Sequence, residues 1–247
     1  MQPTQQSLAD AKSPPSGTVA RVAAWLVHLY TASGAALAML TVIAVMEGDT
    51  LRALWLGLAA MVVDGTDGML ARHLQVKRWV PWFDGALLDN IVDYLTYAFT
   101  PMVLLWSTGY LGEGTSATVL AVTPLLASAY QFCRVDAKTD DHLFLGFPSY
   151  WNILAFYVIV LDLGPTTVAV LLTVCAALVF IPIGYVYPSR TDTLQRLTLV
   201  LTTVWLVSYA VLLSQVPEPG VIWLTISLAY VVYYVALSLY LTARRAS

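Results

Sequence analysis

Apolar runs recur along this chain, and they restrict its fold more than any other feature. A helix that spans a bilayer needs about 20 mostly apolar residues. Eight stretches meet that criterion, at 26–46, 51–72, 86–107, 116–134, 145–162, 166–187, 197–215 and 220–241. The chain is 59% hydrophobic and 11% charged, whereas soluble domains carry charge on about 25% of their residues. The sequence therefore predicts an all-α, polytopic integral membrane protein with about eight transmembrane helices.

The basic residues between these runs predict how the chain is oriented. Eleven of the twelve Lys and Arg residues fall in segments on one side, and only Arg52 falls on the other. Because basic loops stay in the cytoplasm, both termini are predicted to be cytoplasmic. The polar residues 1–18 predict a disordered cytosolic tail, and the short loops leave residues 19–247 as a single membrane-embedded domain. No basic face with interleaved aromatic residues suggests a nucleic-acid partner.

Four carboxylates lie inside the predicted spans. Asp64 and Asp67 fall in the second span, and Asp89 and Asp93 fall in the third. Ionised groups at that depth are costly and usually mark a functional site that faces the bundle interior. Helical spacing and the reversal of chain direction place all four acids level with one another, on facing stripes. Neighbouring carboxylates repel, and two divalent cations with oxygen ligands, such as Mg²⁺, Mn²⁺ or Ca²⁺, would cancel their charge.

Two other interpretations of these acids stay open at this point. Some could be protonated or paired within the bundle, or together they could form a proton or ion pathway. Neither explains the residues beside them, because Gly68, Ala71 and Gly85 leave the helix faces bare and Arg72 adds a permanent charge. Small residues leave room for a ligand, although in membrane helices they also serve close packing.

The acids and their neighbours form a pattern across both spans. It reads D-x2-D-G-x2-A-R at 64–72, then a twelve-residue spacer, then G-x3-D-x3-D at 85–93. This pattern resembles the signature of the CDP-alcohol phosphotransferases, and every fixed position of that signature is matched. The spacer is longer than in most of the family. A longer spacer resembles the bacterial branch that uses choline, as do flanking strings such as 28–34 and 89–97, and the likeness extends over residues 22–190.

The resemblance implies that a phosphatidyl group passes from CDP-diacylglycerol to choline, with release of CMP, at a bacterial inner membrane. It also implies a homodimer. By the same resemblance, Asp64, Asp67 and Asp89 hold two divalent metal ions, Mn²⁺ or Mg²⁺, while Asp93 contacts one of them and acts as the general base. The cytidine and its phosphates would lie against a group of mostly small residues, namely Thr31, Gly68, Ala71, Arg72 and Gly85.

The acceptor is predicted from its chemistry. Choline carries a quaternary ammonium, so its site needs aromatic faces and negative charge. Tyr94 and Tyr97 closely follow Asp93, and we expect them to line this site. Further aromatic candidates at the same interface are Trp79, Trp82, Tyr150 and Trp151. Two alternative functions remain at this stage: a sister transferase that uses serine or another small alcohol, and a membrane cation or choline transporter.

Overall fold

The computed structural model describes residues 17–139 and 141–246, and it confirms the all-α, multi-pass architecture. The predicted tail lies outside the described residues except for Gly17 and Thr18, which are helical rather than disordered. In chain order the elements are α1 (Gly17–Met46), α2 (Thr50–His73), α3 (Val76–Trp79), α4 (Gly85–Asp93), a π-helical segment (Tyr94–Phe99), α5 (Thr100–Ser107), α6 (Gly114–Cys133), β1 (Leu143–Leu145), α7 (Trp151–Val160), α8 (Pro165–Val179), β2 (Gly184–Val186), α9 (Gln195–Ser214) and α10 (Val221–Ala246).

Five of these helices are individually long and apolar enough to cross a membrane: α1, α2, α6, α9 and α10. The third predicted span is also helical throughout, because α4, the π-helical segment and α5 follow one another without a break from residue 85 to 107. At about 1.5 Å of rise per residue, such a segment is long enough to span the apolar core of a bilayer. Six of the eight predicted spans are therefore found at close to their predicted length.

The fifth and sixth predicted spans, 145–162 and 166–187, are too long. In the structure α7 has ten residues and α8 has fifteen. Of the predicted spans, residues 146–150 are non-helical, whereas Leu145 and residues 184–186 pair in a two-stranded antiparallel ribbon. Leu143 lies opposite Val186 in this ribbon, and Leu145 lies opposite Gly184. Pro182 explains why α8 ends where it does, since a proline disfavours helical geometry at the residue before it. The strand pairing then satisfies backbone groups that the helix can no longer satisfy.

Close packing of α1 against α4 brings the acidic helices together. Gly34 makes this approach possible, because a Cβ atom at this position would lie 2.4 Å from Cγ1 of Val92. Val92 is 6% exposed, and its β-branched side chain has little freedom to move away. Helix α1 also packs along α2, so it contacts both helices that carry aspartates.

This packing gives a testable prediction for Gly34→Ala. The added methyl group overlaps Val92, and overpacking of this kind costs about 1–3 kcal/mol of stability. We expect a lower unfolding temperature for the purified protein in detergent, restored in part by the double variant Gly34→Ala/Val92→Ala. Gly57→Ala is the matched control, because a Cβ atom at Gly57 in α2 would meet nothing within 4 Å. Equal effects of the two single variants would contradict the assigned packing.

Candidate active site

The position of α4 is set by the residue that precedes it. Oδ1 of Asp84 accepts hydrogen bonds from the backbone N–H groups of Ala86 (3.1 Å) and Leu87 (3.0 Å), so Asp84 caps the helix. Such a cap satisfies N–H groups that have no partner within the helix. With the start of α4 fixed, Asp89 and Asp93 lie four residues apart on a single face.

Three of the four predicted metal ligands come together in the structure. Carboxylate oxygens of Asp64, Asp89 and Asp93 lie within 4.8 Å of one another, and all three residues are half-buried. Divalent cations bind carboxylate oxygens at about 2.0–2.6 Å, so oxygens at this separation fit around a single ion. The donor set is entirely hard oxygen, which suits Mg²⁺, Mn²⁺ or Ca²⁺ better than a soft metal. These three aspartates could therefore hold a metal ion.

Asp67 lies outside this group of three and has its own hydrogen-bond partner. It is 5% exposed, and its Oδ2 accepts a hydrogen bond of 2.7 Å from Oγ1 of Thr31. Thr31 is itself buried on α1, so the bond joins α1 to α2 in the interior. The sequence predicts that Thr31 contacts the nucleotide. In the structure its hydroxyl orients the carboxylate of Asp67.

The two tyrosines predicted to bind choline point to different neighbours. Tyr97 lies in the π-helical segment, and its hydroxyl donates a hydrogen bond of 2.6 Å to Oδ2 of Asp64. The hydroxyl of Tyr94 instead donates to the backbone carbonyl of Leu125 in α6, at 3.3 Å. Tyr97 therefore lies at the acidic cluster, and Tyr94 is held against α6.

Further aromatic residues continue from Tyr97 away from the acids. The ring of Tyr150 lies 6.1 Å from that of Tyr97, and the ring of Tyr234 lies 6.1 Å from that of Tyr150. The hydroxyl of Tyr234 donates to the carbonyl of Val186 in β2 at 2.9 Å. Sequence reasoning missed Tyr234, because nothing in the last apolar run distinguishes it from neighbouring tyrosines.

The small residues near the acids lie in different surroundings. A Cβ atom at Gly85 would lie 2.8 Å from Cε1 of His28, and one at Gly68 would lie 3.2 Å from Nη1 of Arg72. Gly85 thus makes room for an imidazole, whereas Gly68 is crowded only by a flexible guanidinium. Ala71 packs instead against the apolar cluster formed by α1 and α3.

Two polar side chains beside Gly68 and Gly85 differ in exposure. Arg72 is exposed in the last turn of α2. His28 is 7% exposed, and its Nε2 has no hydrogen-bond partner among the described residues. Sequence reasoning gave His28 no role, and the structure places it against Gly85, with its ring centroid 4.5 Å from that of Phe83.

The sequence of this chain is similar to those of several known proteins. No protein-family model matches the chain. The chain is 43% identical over 227 residues to the phosphatidylcholine synthase of Legionella pneumophila, covering 89% of each protein. It is 40% identical over 223 residues to the phosphatidylcholine synthase of Pseudomonas aeruginosa, covering 90% of the chain and 92% of the relative. With that of Borreliella burgdorferi it shares 35% identity over 223 residues, covering 90% and 95% respectively.

The hydrogen bond from Tyr97 to Asp64 predicts an effect on metal affinity. Removing a partner that orients a metal ligand typically costs about 10–100-fold in affinity. We expect Tyr97→Phe to weaken binding of Mn²⁺ to the purified protein at least about tenfold by isothermal titration calorimetry. Tyr94→Phe is the control, because its hydroxyl bonds to a carbonyl of α6 and not to an acid. Unchanged Mn²⁺ affinity in Tyr97→Phe would show that this hydroxyl does not orient a ligand.

Proposed function

The chain belongs to the phosphatidylcholine synthase family, and we propose that its four aspartates carry out that family's reaction. In this reaction the phosphatidyl group of CDP-diacylglycerol is transferred to choline, and CMP is released. The observation that carries the proposal is the convergence of Asp64, Asp89 and Asp93 to within 4.8 Å inside a membrane-embedded bundle. Phosphoryl transfer depends mostly on positioning and charge neutralisation, and such a cluster would hold the divalent cations that neutralise the phosphate charge.

The metal ligands are assigned as follows in this proposal. Asp64, Asp67 and Asp89 hold two divalent ions, Mg²⁺ or Mn²⁺, and Asp93 contacts one of them. When bound, such ions supply positive charge that stabilises the diphosphate and the departing CMP. The hydroxyls of Thr31 and Tyr97 support this assignment, since each donates to a carboxylate oxygen and so fixes the orientation of a proposed metal ligand.

Asp93 is proposed to act as the general base. The choline oxygen attacks the phosphorus that carries the diacylglycerol, the bond from this phosphorus to the CMP oxygen breaks, and the hydroxyl proton passes to the carboxylate of Asp93. A general base must lie within hydrogen-bond reach of the proton that it takes. Asp93 is suited to this because it is a member of the acidic cluster and lies one turn further along α4 than Asp89.

The substrate contacts are also proposals. Gly68, Ala71, Arg72 and Gly85 form the wall for the cytidine and its phosphates, with Thr31 acting through Asp67. For choline, the contacts favour Tyr97 over Tyr94, because Tyr97 places an aromatic ring beside the carboxylate of Asp64. A quaternary ammonium is attracted both to ring faces and to negative charge.

The setting of the enzyme completes the proposal. The apolar helices make it a multi-pass membrane protein, and the distribution of basic residues supports cytoplasmic termini at the bacterial inner membrane. Choline and CMP would then exchange with the cytosol, and the lipid would enter from the bilayer. A homodimer follows from the family resemblance alone.

The choice of acceptor is tested by competition between alcohols. We expect the purified enzyme with CDP-diacylglycerol and Mn²⁺ or Mg²⁺ to release CMP when choline is added, with formation of labelled phosphatidylcholine. Serine should give no comparable product, because it lacks the quaternary ammonium that aromatic faces recognise. CMP release with serine and not with choline would favour the sister transferase. Choline uptake into proteoliposomes without CMP release would favour a transporter.

The general base is tested with Asp93→Asn. The amide keeps the size of the side chain but cannot accept the proton, and loss of a general base typically lowers the rate about 10²–10⁴-fold. We expect kcat to fall by such a factor while CDP-diacylglycerol binding is largely kept. Asp64→Ala should instead weaken metal and nucleotide binding together. Asp162→Asn is the control, because the carboxylate of this exposed acid accepts a hydrogen bond from Tyr110 and is not part of the group formed by Asp64, Asp89 and Asp93. Turnover at the wild-type rate by Asp93→Asn would exclude the assigned role.

A further inference from the structure

Helix α6 and strand β2 are both linked to residues beside the aspartates, α6 directly through Asn90 and β2 through a row of tyrosines. On one side, the amide of Asn90, next to Asp89, donates to the carbonyl of Phe132 at 3.3 Å, so the chain leaves α6 beside the acids. On the other side, the tyrosines that follow Tyr97 end on the carbonyl of Val186 in β2. Among the described residues, the segment that leads from α6 into β1 (134–139 and 141–145) therefore starts beside the helix that carries Asp89 and Asp93.

Within this segment the backbone forms a small ladder that presents Lys138. The N–H of Leu145 donates to the carbonyl of Ala137 at 2.9 Å, and Lys138 pairs with Phe144 in an antiparallel bridge. Nζ of Lys138 lies 5.8 Å from the centre of the Phe144 ring, which in turn lies 4.6 Å from the ring of Tyr187. The exposed lysine is thus steadied by packing of its cation on an aromatic face.

Lys138 is a cation without an anionic partner in the part of the chain that the structure describes. No carboxylate there lies within ion-pair distance of its Nζ. Lys138 nevertheless lies six residues after Phe132, whose carbonyl accepts the hydrogen bond from Asn90 beside Asp89. A lysine near the acidic helices that pairs with none of the described carboxylates leaves a gap between opposite charges.

The proposed reaction specifies what fits such a gap. Four carboxylates and two divalent ions cancel formally, so the negative charges of a bound diphosphate would remain. A lysine is a compact point charge on a flexible stem and is a common ligand of phosphate oxygens. We propose that Lys138 binds the phosphate groups of the CDP-activated lipid, on the side of the diphosphate away from the aspartates. This inference rests on the proposed function, and it adds a phosphate contact from outside the two helices that carry the acids.

The test compares Lys138→Gln, Lys138→Arg and a control, Lys77→Gln, which changes an exposed lysine of α3. CMP release is measured in mixed micelles at saturating choline while the mole fraction of CDP-diacylglycerol is varied. A hydrogen bond to a charged group is worth about 1.5–3 kcal/mol, so Lys138→Gln should raise the KM for CDP-diacylglycerol at least about tenfold. The KM for choline should change less than about twofold, and Lys138→Arg should keep most of the affinity.

Lys138 could also bind the phosphate of an anionic lipid headgroup, and a second experiment distinguishes this from binding to the substrate. The assays are repeated with and without phosphatidylglycerol, and binding of CDP is measured by calorimetry without lipid substrate. Weaker CDP binding by Lys138→Gln both with and without phosphatidylglycerol supports the proposal. A defect seen only with phosphatidylglycerol, an equal defect in Lys77→Gln, or an unchanged KM for CDP-diacylglycerol would overturn it. Absence of choline-dependent CMP release by the wild-type enzyme would instead contradict the proposed function.

Discussion

The structure depends on holding several carboxylates close together within a low-dielectric bundle. Isolated charges in such surroundings are costly, and several like charges side by side cost more. Here the protein offsets part of that cost with hydroxyl groups, from Thr31 to Asp67 and from Tyr97 to Asp64. Among the described residues none of the four aspartates forms an ion pair with a basic side chain. The remaining charge is therefore available to ligands.

Neutral donors and fixed cations have different consequences at such a site. A lysine or arginine in direct contact would stabilise the acids permanently and would compete with any incoming metal ion. A hydroxyl occupies one oxygen, sets the orientation of the carboxylate and leaves its charge unchanged. The cations of this region stand further back, with Arg72 at the end of α2 and Lys138 on the ladder before β1. This arrangement leaves the aspartates available to bind metal ions, because no basic side chain neutralises them directly.

The sequence predicts much of this organisation and misses specific parts of it. Periodicity and charge locate the acids and the helices that carry them, because a membrane leaves few alternatives for a long apolar run. They fail at α7 and α8, where apolar residues continue into a ribbon and only Pro182 signals the end of a helix. The hydrogen-bond partners of Asp64 and Asp67 also cannot be predicted from the sequence. Tyr97 and Thr31 lie 33 and 36 residues away along the chain, and only tertiary packing selects their rotamers.

The hydrogen bonds from Ala86 and Leu87 to Asp84 separate a stretch of the chain that tolerates insertions and deletions from one that does not. Upstream of the cap, the connector that contains α3 can gain or lose residues without changing the direction in which α4 presents its acids. Downstream, each inserted residue would rotate the following side chains by about 100° around the helix, and one insertion would move Asp93 off the face of Asp89. Length variation among relatives should therefore concentrate between Arg72 and Asp84, while the distance from Asp84 to Asp93 stays constant.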